Sequence, residues 1–262
     1  MELSLKNKVA LVCGSTQGIG FASASELAAL GASVILLARN EIKLKDCIKN
    51  LPAINGQSHR YIVADYASPA NLKSTVVDFL SKNEPVHILI NNTGGPPGGP
   101  ITDAATDEFS DAFSKHLICN HILSQATISG MKKAGYGRII NVISTSVKQP
   151  LNGLGVSNTI RGAVANWAKT MANELGQFNI TVNNVLPGAT NTGRLNSIIS
   201  TKAAKMGETE EVVKAGMANA VPMKRVAEPS EVANAIAFLA SPAASYINGI
   251  NLPVDGGRTS SL

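Results

Sequence analysis

Cysteine is scarce and scattered in this chain. Cys13, Cys47 and Cys119 stand alone in 262 residues; neither a disulfide framework nor a metal-binding cysteine spacing follows, and reduced thiols in the cytoplasm are the expectation. Long apolar runs are missing as well. None approaches the ~20 residues that a membrane-spanning helix requires. The first strand-like run begins within about ten residues of the N-terminus, so a signal peptide is not expected. There is no basic cluster: 23 basic and 18 acidic residues are interspersed for a formal charge of +5, so a nucleic-acid surface is not expected. Linker-like stretches and internal repeats are also lacking, and one domain over residues 1–262 is expected.

What is present is alternation. Strand-like runs, rich in β-branched residues, lie at Val9–Val12, Val34–Leu37, Tyr61–Ala64, Val86–Ile90, Arg138–Ile143, Ile180–Leu186 and Ile250–Val254. Helical patterns fall between them, at Phe21–Leu30, Asn71–Leu80, Phe109–Met131, Val156–Leu175 and Glu231–Leu239. In the last of these, Val232, Ile236 and Leu239 recur at helical spacing and predict a core stripe. Strands that are apolar on both faces and alternate with helices predict an α/β fold, a doubly wound Rossmann-like sheet of about seven parallel strands with helices on both sides.

Between the first strand and the first helix runs Gly14-Ser15-Thr16-Gln17-Gly18-Ile19-Gly20. A buried strand ends, glycines turn the backbone tightly, and a helix N-terminus follows. That order suits the pyrophosphate of a dinucleotide, although the G-x-x-x-G-I-G spacing is longer than G-x-G-x-x-G. A second odd segment, Gly94-Gly95-Pro96-Pro97-Gly98-Gly99-Pro100, follows the fourth strand. Ligands bind at strand ends in such sheets, so the segment reads either as a rigid loop or as a wall of the ligand site.

Together these pieces resemble the short-chain dehydrogenase/reductase family over nearly the whole chain. Its glycine turn is similar to Gly14/Gly18/Gly20. Asn91-Asn92-Thr93-Gly94 resembles its Asn-Asn-Ala-Gly motif, Pro187-Gly188 with Thr192 its Pro-Gly turn and nicotinamide-holding Thr, and Asp255-Gly256-Gly257 its terminal Asp-Gly-Gly. Asp65 follows the third strand, where the family has an Asp near the adenine. The resemblance implies a pyridine-nucleotide site formed by residues 14–20, Arg39, Asn40, Asp65, Tyr66, Asn92, Thr93, Gly94, Arg161, Pro187, Gly188, Thr190 and Thr192. It also implies a small-molecule substrate and a homodimer or homotetramer, with the helices Phe109–Met131 and Val156–Leu175 at an interface. The small residues Ala163, Ala165 and Ala168 suit either close approach there or ordinary core packing.

Charge selects the coenzyme. NAD sites place an acid after the second strand for the ribose hydroxyls, whereas NADP sites place an Arg near the 2′-phosphate. Here the strand ends Ala38-Arg39-Asn40. The acid is missing and the guanidinium is present, which favours NADP(H) over NAD(H).

The catalytic positions depart from the family pattern. Where the family carries Tyr-x-x-x-Lys, this chain has Ser157 and Arg161. Ser144, 13 residues before Ser157, matches the family's Ser, and the place of its Asn holds His116, with Asn120 one turn on as the alternative register. None of Tyr61, Tyr66, Tyr136 and Tyr246 lies on that helix. A serine hydroxyl is a far weaker acid than a phenol, and Arg is always protonated. His116 alone among these groups belongs to a residue type that titrates near neutrality; it reads either as a buried, hydrogen-bonded histidine of the core or as the proton source, acting directly or through water and Ser144 or Ser157. The sequence thus predicts an NADP(H)-dependent oxidoreductase that reduces a carbonyl (a 3-oxoacyl compound or another small ketone) through a remodelled proton path. The alternative is a nucleotide-binding sensor or scaffold without turnover. The stretch from Asn191 to Arg225 reads as helices that close over the substrate.

Overall fold

The computed structural model describes residues 1–261. Seven strands form one parallel sheet in the order β3-β2-β1-β4-β5-β6-β7. They are β1 (Val9–Cys13), β2 (Ser33–Ala38), β3 (Arg60–Val63), β4 (Ile88–Asn91), β5 (Gly137–Val142), β6 (Ile180–Pro187) and β7 (Asn251–Val254). The strand order reverses between β1 and β4, and at such a switch point the loops leaving neighbouring carboxyl ends part and open a crevice. Both glycine-rich segments leave the sheet here, one after β1 and one after β4.

Every residue of β1 and β4 is buried, because side chains alternate between two cores. Ala10, Val12, Ile88 and Ile90 enter one core, against α1 (Gly18–Ala29) and α9 (Pro229–Ala240). Val9, Leu11 and Leu89 enter the other, which is covered by α3 (Pro69–Ser81), α5 (Cys119–Ala134) and α6 (Gly155–Leu175). The expected stripe of α9 is fully buried at Val232, Ile236 and Leu239, and burying each such side chain contributes about 1.5–3 kcal/mol. Ala165 and Ala168 are buried inside the chain itself, so core packing accounts for them. The three thiols are free.

Two elements differ from the sequence reading. The helix expected over Phe109–Met131 is interrupted: α4 (Thr106–Phe113) passes into a π-turn over Ser114–Ile118 before α5 begins. A further helix, α2 (Glu41–Lys49), buries only Leu44 and so leaves almost no apolar period to detect; it is started by the Asn40 side chain, which accepts from the Lys43 amide at 3.0 Å. The Asn191–Arg225 stretch resolves into α7 (Gly193–Met206) and α8 (Glu210–Asn219), which share a small core of Leu195, Ile199, Ala203 and Val213. Among the described residues no helix is long and apolar enough to cross a membrane.

A row of four asparagines crosses the sheet near its carboxyl edge. Asn91, Asn141, Asn184 and Asn251 occupy one register on β4 to β7. Asn91 Nδ2 donates to Asn141 Oδ1 at 2.9 Å, Asn141 to Asn184 at 2.9 Å, and Asn184 to Asn251 at 2.8 Å.

Candidate functional site

The turn after β1 is shaped by backbone crowding. Gly14 and Gly18 take φ of +57° and +54°, a region costly for other residues. A Cβ at Gly14 would lie 2.8 Å from the Asn92 backbone oxygen, and one at Gly20 would strike the Gly14 carbonyl. Asn92 Nδ2 donates to the carbonyls of Cys13 and Gly14 at 3.2 and 3.3 Å, fastening the turn to the end of β4. The first turn of α1 holds no acid, and its N-cap Gln17 makes no side-chain capping bond. Its amides therefore carry no competing side-chain cap and are open to an anion. Ser15 is fully buried and donates to the Leu37 carbonyl at 3.3 Å, and the Thr16 carbonyl faces the Cys47 thiol at 3.7 Å. These two join the turn to β2 and α2.

At the end of β2, the Arg39 side chain is 79% exposed and stands 4.0 Å from Asp65, a pair worth little in water. Asp65 also accepts from the Ala67 amide at 2.9 Å. Two residues expected at the coenzyme are engaged elsewhere. The Asn40 side chain caps α2. The Tyr66 ring is packed in the core beside Cys13, and burial pushes its phenol well above the ordinary value.

The candidate reaction centre lies between α6, the π-turn and the loop after β4. That loop is pinned to the start of α6: the Gly99 amide donates to Gly153 at 2.8 Å, and Gly155 abuts Ile101 so closely that a Cβ would clash. Ser144 ends the β5 segment and caps a short 3-10 turn, accepting from the Ser146 amide at 3.1 Å. Ser157 is half-buried one turn before Arg161, so both share a face of α6. Arg161 is 8% exposed; its Nη1 donates to the Val142 carbonyl at 3.1 Å, while its Nε is buried without a partner. Burial, and then the charge of Arg194, lower its pKa to about 10. His116 sits in the π-turn, a distortion that recurs at functional sites. It is 2% exposed, and burial together with Arg161, Lys115 and Arg194 lowers its pKa to about 2. Burial and these cations therefore favour a neutral ring at neutral pH, which agrees with the reading of a buried histidine and speaks against direct proton donation from an imidazolium. Asn120, the alternative register, is buried at the head of α5 with its Oδ1 unpaired.

On the opposite side, the chain leaves β6 through Pro187-Gly188, where a Cβ at Gly188 would lie 2.8 Å from Asp255. Asp255 in turn accepts from the amides of Gly257 and Thr259. Thr190 is buried and donates to the Gly188 carbonyl at 3.1 Å. Thr192 caps α7 and approaches the position of a Gly18 Cβ to 3.1 Å, bringing the start of α7 onto the glycine turn. Arg194, in the first turn of α7, reaches across to donate to the Pro96 carbonyl. Sequence reasoning missed Arg194, although its place two residues after Thr192 was a signal. All four tyrosines are engaged or lie elsewhere: Tyr61 donates to Glu41, Tyr136 to the Ala240 carbonyl, Tyr66 is in the core and Tyr246 is fully exposed.

With this geometry in place, residues 14–259 match the family described as enoyl-(acyl carrier protein) reductase. A 3-oxoacyl-[acyl-carrier-protein] reductase of Vibrio cholerae is 35% identical over 97% of this chain and 98% of its own. A tropinone reductase homologue of Arabidopsis thaliana is 33% identical over 98% of this chain and 77% of its own. Among solved structures, L-sorbose reductase of Gluconobacter frateurii, complexed with NADPH and L-sorbose, superimposes with a TM-score of 0.93 at 30% identity, covering 100% of both chains.

Proposed function

Because the chain belongs to the short-chain dehydrogenase/reductase family, we propose that it is an NADPH-dependent reductase of a carbonyl substrate, working without the family's Tyr/Lys pair. The observation that carries this reading is the crowded glycine turn, fastened by Asn92 and followed by Arg39 with no acid at the end of β2. A turn that tolerates no Cβ and opens onto uncapped helix amides suits a pyrophosphate. Arg39 is free to fork onto a 2′-phosphate, which a carboxylate in its place would repel. Asp65 then serves the adenine end. Asn92, Thr93, Gly94, Pro187, Gly188 and Thr192 border the nicotinamide end.

The bound coenzyme would supply a hydride to the carbonyl carbon. The chain's own task is to steady the charge that grows on the oxygen. Ser144 and Ser157 hydrogen-bond that oxygen, and Arg161 stabilises its charge without proton transfer. Neutral His116 can donate a ring N–H bond in the manner of an electrophile, as does the neutral active-site histidine of triosephosphate isomerase. The proton that completes the alcohol comes from solvent through the Ser157 hydroxyl. Losing a tuned phenol removes about 10²–10⁴-fold of acid catalysis, so the substrate should be one whose carbonyl is already activated. A cytoplasmic homodimer or homotetramer completes the proposal. Phe113 and Ile118, exposed around the π-turn, support an interface there.

The test is a fluorescence titration with NADPH and NADH, followed by NADPH consumption with a panel of ketones, β-keto esters and imines. NADPH should bind at least about 10-fold more tightly than NADH, the effect of one charge-assisted phosphate contact, and at least one carbonyl should be turned over. Binding without any turnover would favour the sensor reading, and no binding of either nucleotide would remove both.

A further inference from the structure

Arg161 and Arg194 converge on Gly95. A Cβ placed on Gly95 would lie 3.5 Å from a terminal nitrogen of Arg194 and 3.7 Å from one of Arg161. Neither arginine forms an ion pair among the described residues. The charges that lower Arg161 and His116 come from Arg194, Arg161 and Lys115, of which Lys115 is already paired with Asp111 at 2.7 Å. A buried cation is normally paired or saturated with acceptors. The chain's other deeply buried arginine, Arg138, follows that rule: its nitrogens donate to the carbonyls of Ser241, Gly137 and Asn179, and its guanidinium lies 4.1 Å from the Tyr136 ring centroid. Arg161 has one carbonyl acceptor and a buried Nε with none. Its Nη1 is turned to Val142, which leaves the Nε–Nη2 edge, the planar fork that matches a carboxylate.

Resting on the reductase reading, we infer that Arg161 and Arg194 together form an anion site for a carboxylate carried by the substrate itself, so that the carbonyl reduced belongs to an oxo acid. The coenzyme does not meet this need. Its negative charges are the pyrophosphate and the 2′-phosphate, matched by the α1 N-terminus and Arg39. Its nicotinamide end is neutral when reduced and positive when oxidised, so it brings no anion to Arg161 and Arg194; the ribose hydroxyls there offer Arg161 neutral acceptors only. Arg161 supplies the buried fork. Arg194, on α7 and exposed, currently holds the Pro96 carbonyl and can exchange that neutral acceptor for a charged one. Gly95 puts no side chain between them. A carboxylate beside the carbonyl also activates the ketone electronically, which fits a site without a strong acid.

The experiment uses the NADPH-loaded protein and calorimetry with pyruvate, 2-oxobutyrate and phenylpyruvate, each beside its methyl ester. At least one acid should bind saturably, about 10-fold or more tightly than its ester, as expected for charge-assisted bonds. Arg194→Ala, an exposed position whose loss should not disturb folding, should weaken that acid about 10-fold and leave both the ester and NADPH unchanged. Arg161→Met should abolish acid binding. Equal binding of acid and ester, or no saturable binding by any of the three acids, overturns the inference. So does an Arg194→Ala protein that loses NADPH affinity and keeps the acid, because the arginine then serves the coenzyme. If wild-type protein binds no NADPH, the reductase reading fails separately. The acids are then titrated onto the bare chain, where the same comparison with the esters decides.

Discussion

Replacing Arg161 by methionine should make the coenzyme-free protein more stable while destroying acid binding. Methionine keeps most of the apolar stem that threads α6 into the site. It removes a guanidinium whose pKa falls from 12.5 to about 10, mainly through burial. That fall corresponds to about 3 kcal/mol by which the fold disfavours the charged form relative to the unfolded chain. The folded value lies below the unfolded one, so this burden is present at every pH below about 10 and eases only above it. Against the gain stands the bond from Nη1 to the Val142 carbonyl, whose loss costs about 1 kcal/mol. The net is about 2 kcal/mol in favour of the variant, which for a domain of this size raises Tm by about 4–6 °C. Thermal unfolding at pH 7 followed by far-UV circular dichroism measures it directly. A lower Tm for Arg161→Met would refute the reasoning, because it would mean that the chain already balances this charge.

Arg39→Ala should weaken NADPH about 10- to 100-fold, the range for bonds to a charged group, while NADH affinity stays flat; equal losses for both would deny Arg39 the 2′-phosphate. His116 titrates far lower in the fold than in the unfolded chain, so its contribution to stability is complete above about pH 6.5 and is lost as pH falls towards 2. Between pH 7 and 5 that loss is about 2 kcal/mol. His116→Asn should flatten the urea midpoint over this interval; an unchanged slope would show that another group governs it. The double variant Ser157→Tyr/Arg161→Lys should gain at least about 10²-fold in reduction of an unactivated ketone such as cyclohexanone. No gain would mean that more than the missing acid limits the natural site.

The sheet was readable because its strands are apolar on both faces and its turns carry glycine where a Cβ cannot fit, as at Gly14 and Gly20. The helix α2 was not, since a single buried leucine leaves no periodicity. The π-turn was hidden for a related reason: Phe109 to Met131 keeps a helical pattern, and one widened turn barely shifts it. At the site, positions could be counted from motifs, but protonation could not. Only burial and the neighbouring cations reveal that His116 is neutral. Arg194 was obscure because its partner, the Pro96 carbonyl, lies almost a hundred residues away in the chain.

The crossing of asparagine amides from β4 to β7 has a consequence for motion. Slipping β5 or β6 by a single residue would turn its amide to the opposite face and strand two neighbours without partners, and slipping β4 or β7 would strand one, so the four strands should zip or melt together. The strands β1 to β3 carry no such row of amides; between β2 and β3 the His59 ring, just before β3, accepts from the Val34 amide at 3.1 Å. The half that carries Ser144, the loop after β4 and the approach to α7 should thus behave as an anvil, while the half proposed to meet the adenosine should breathe. Deuterium should enter β2 and β3 well before it enters β5 and β6, and substituting Asn141 by leucine should erase that difference.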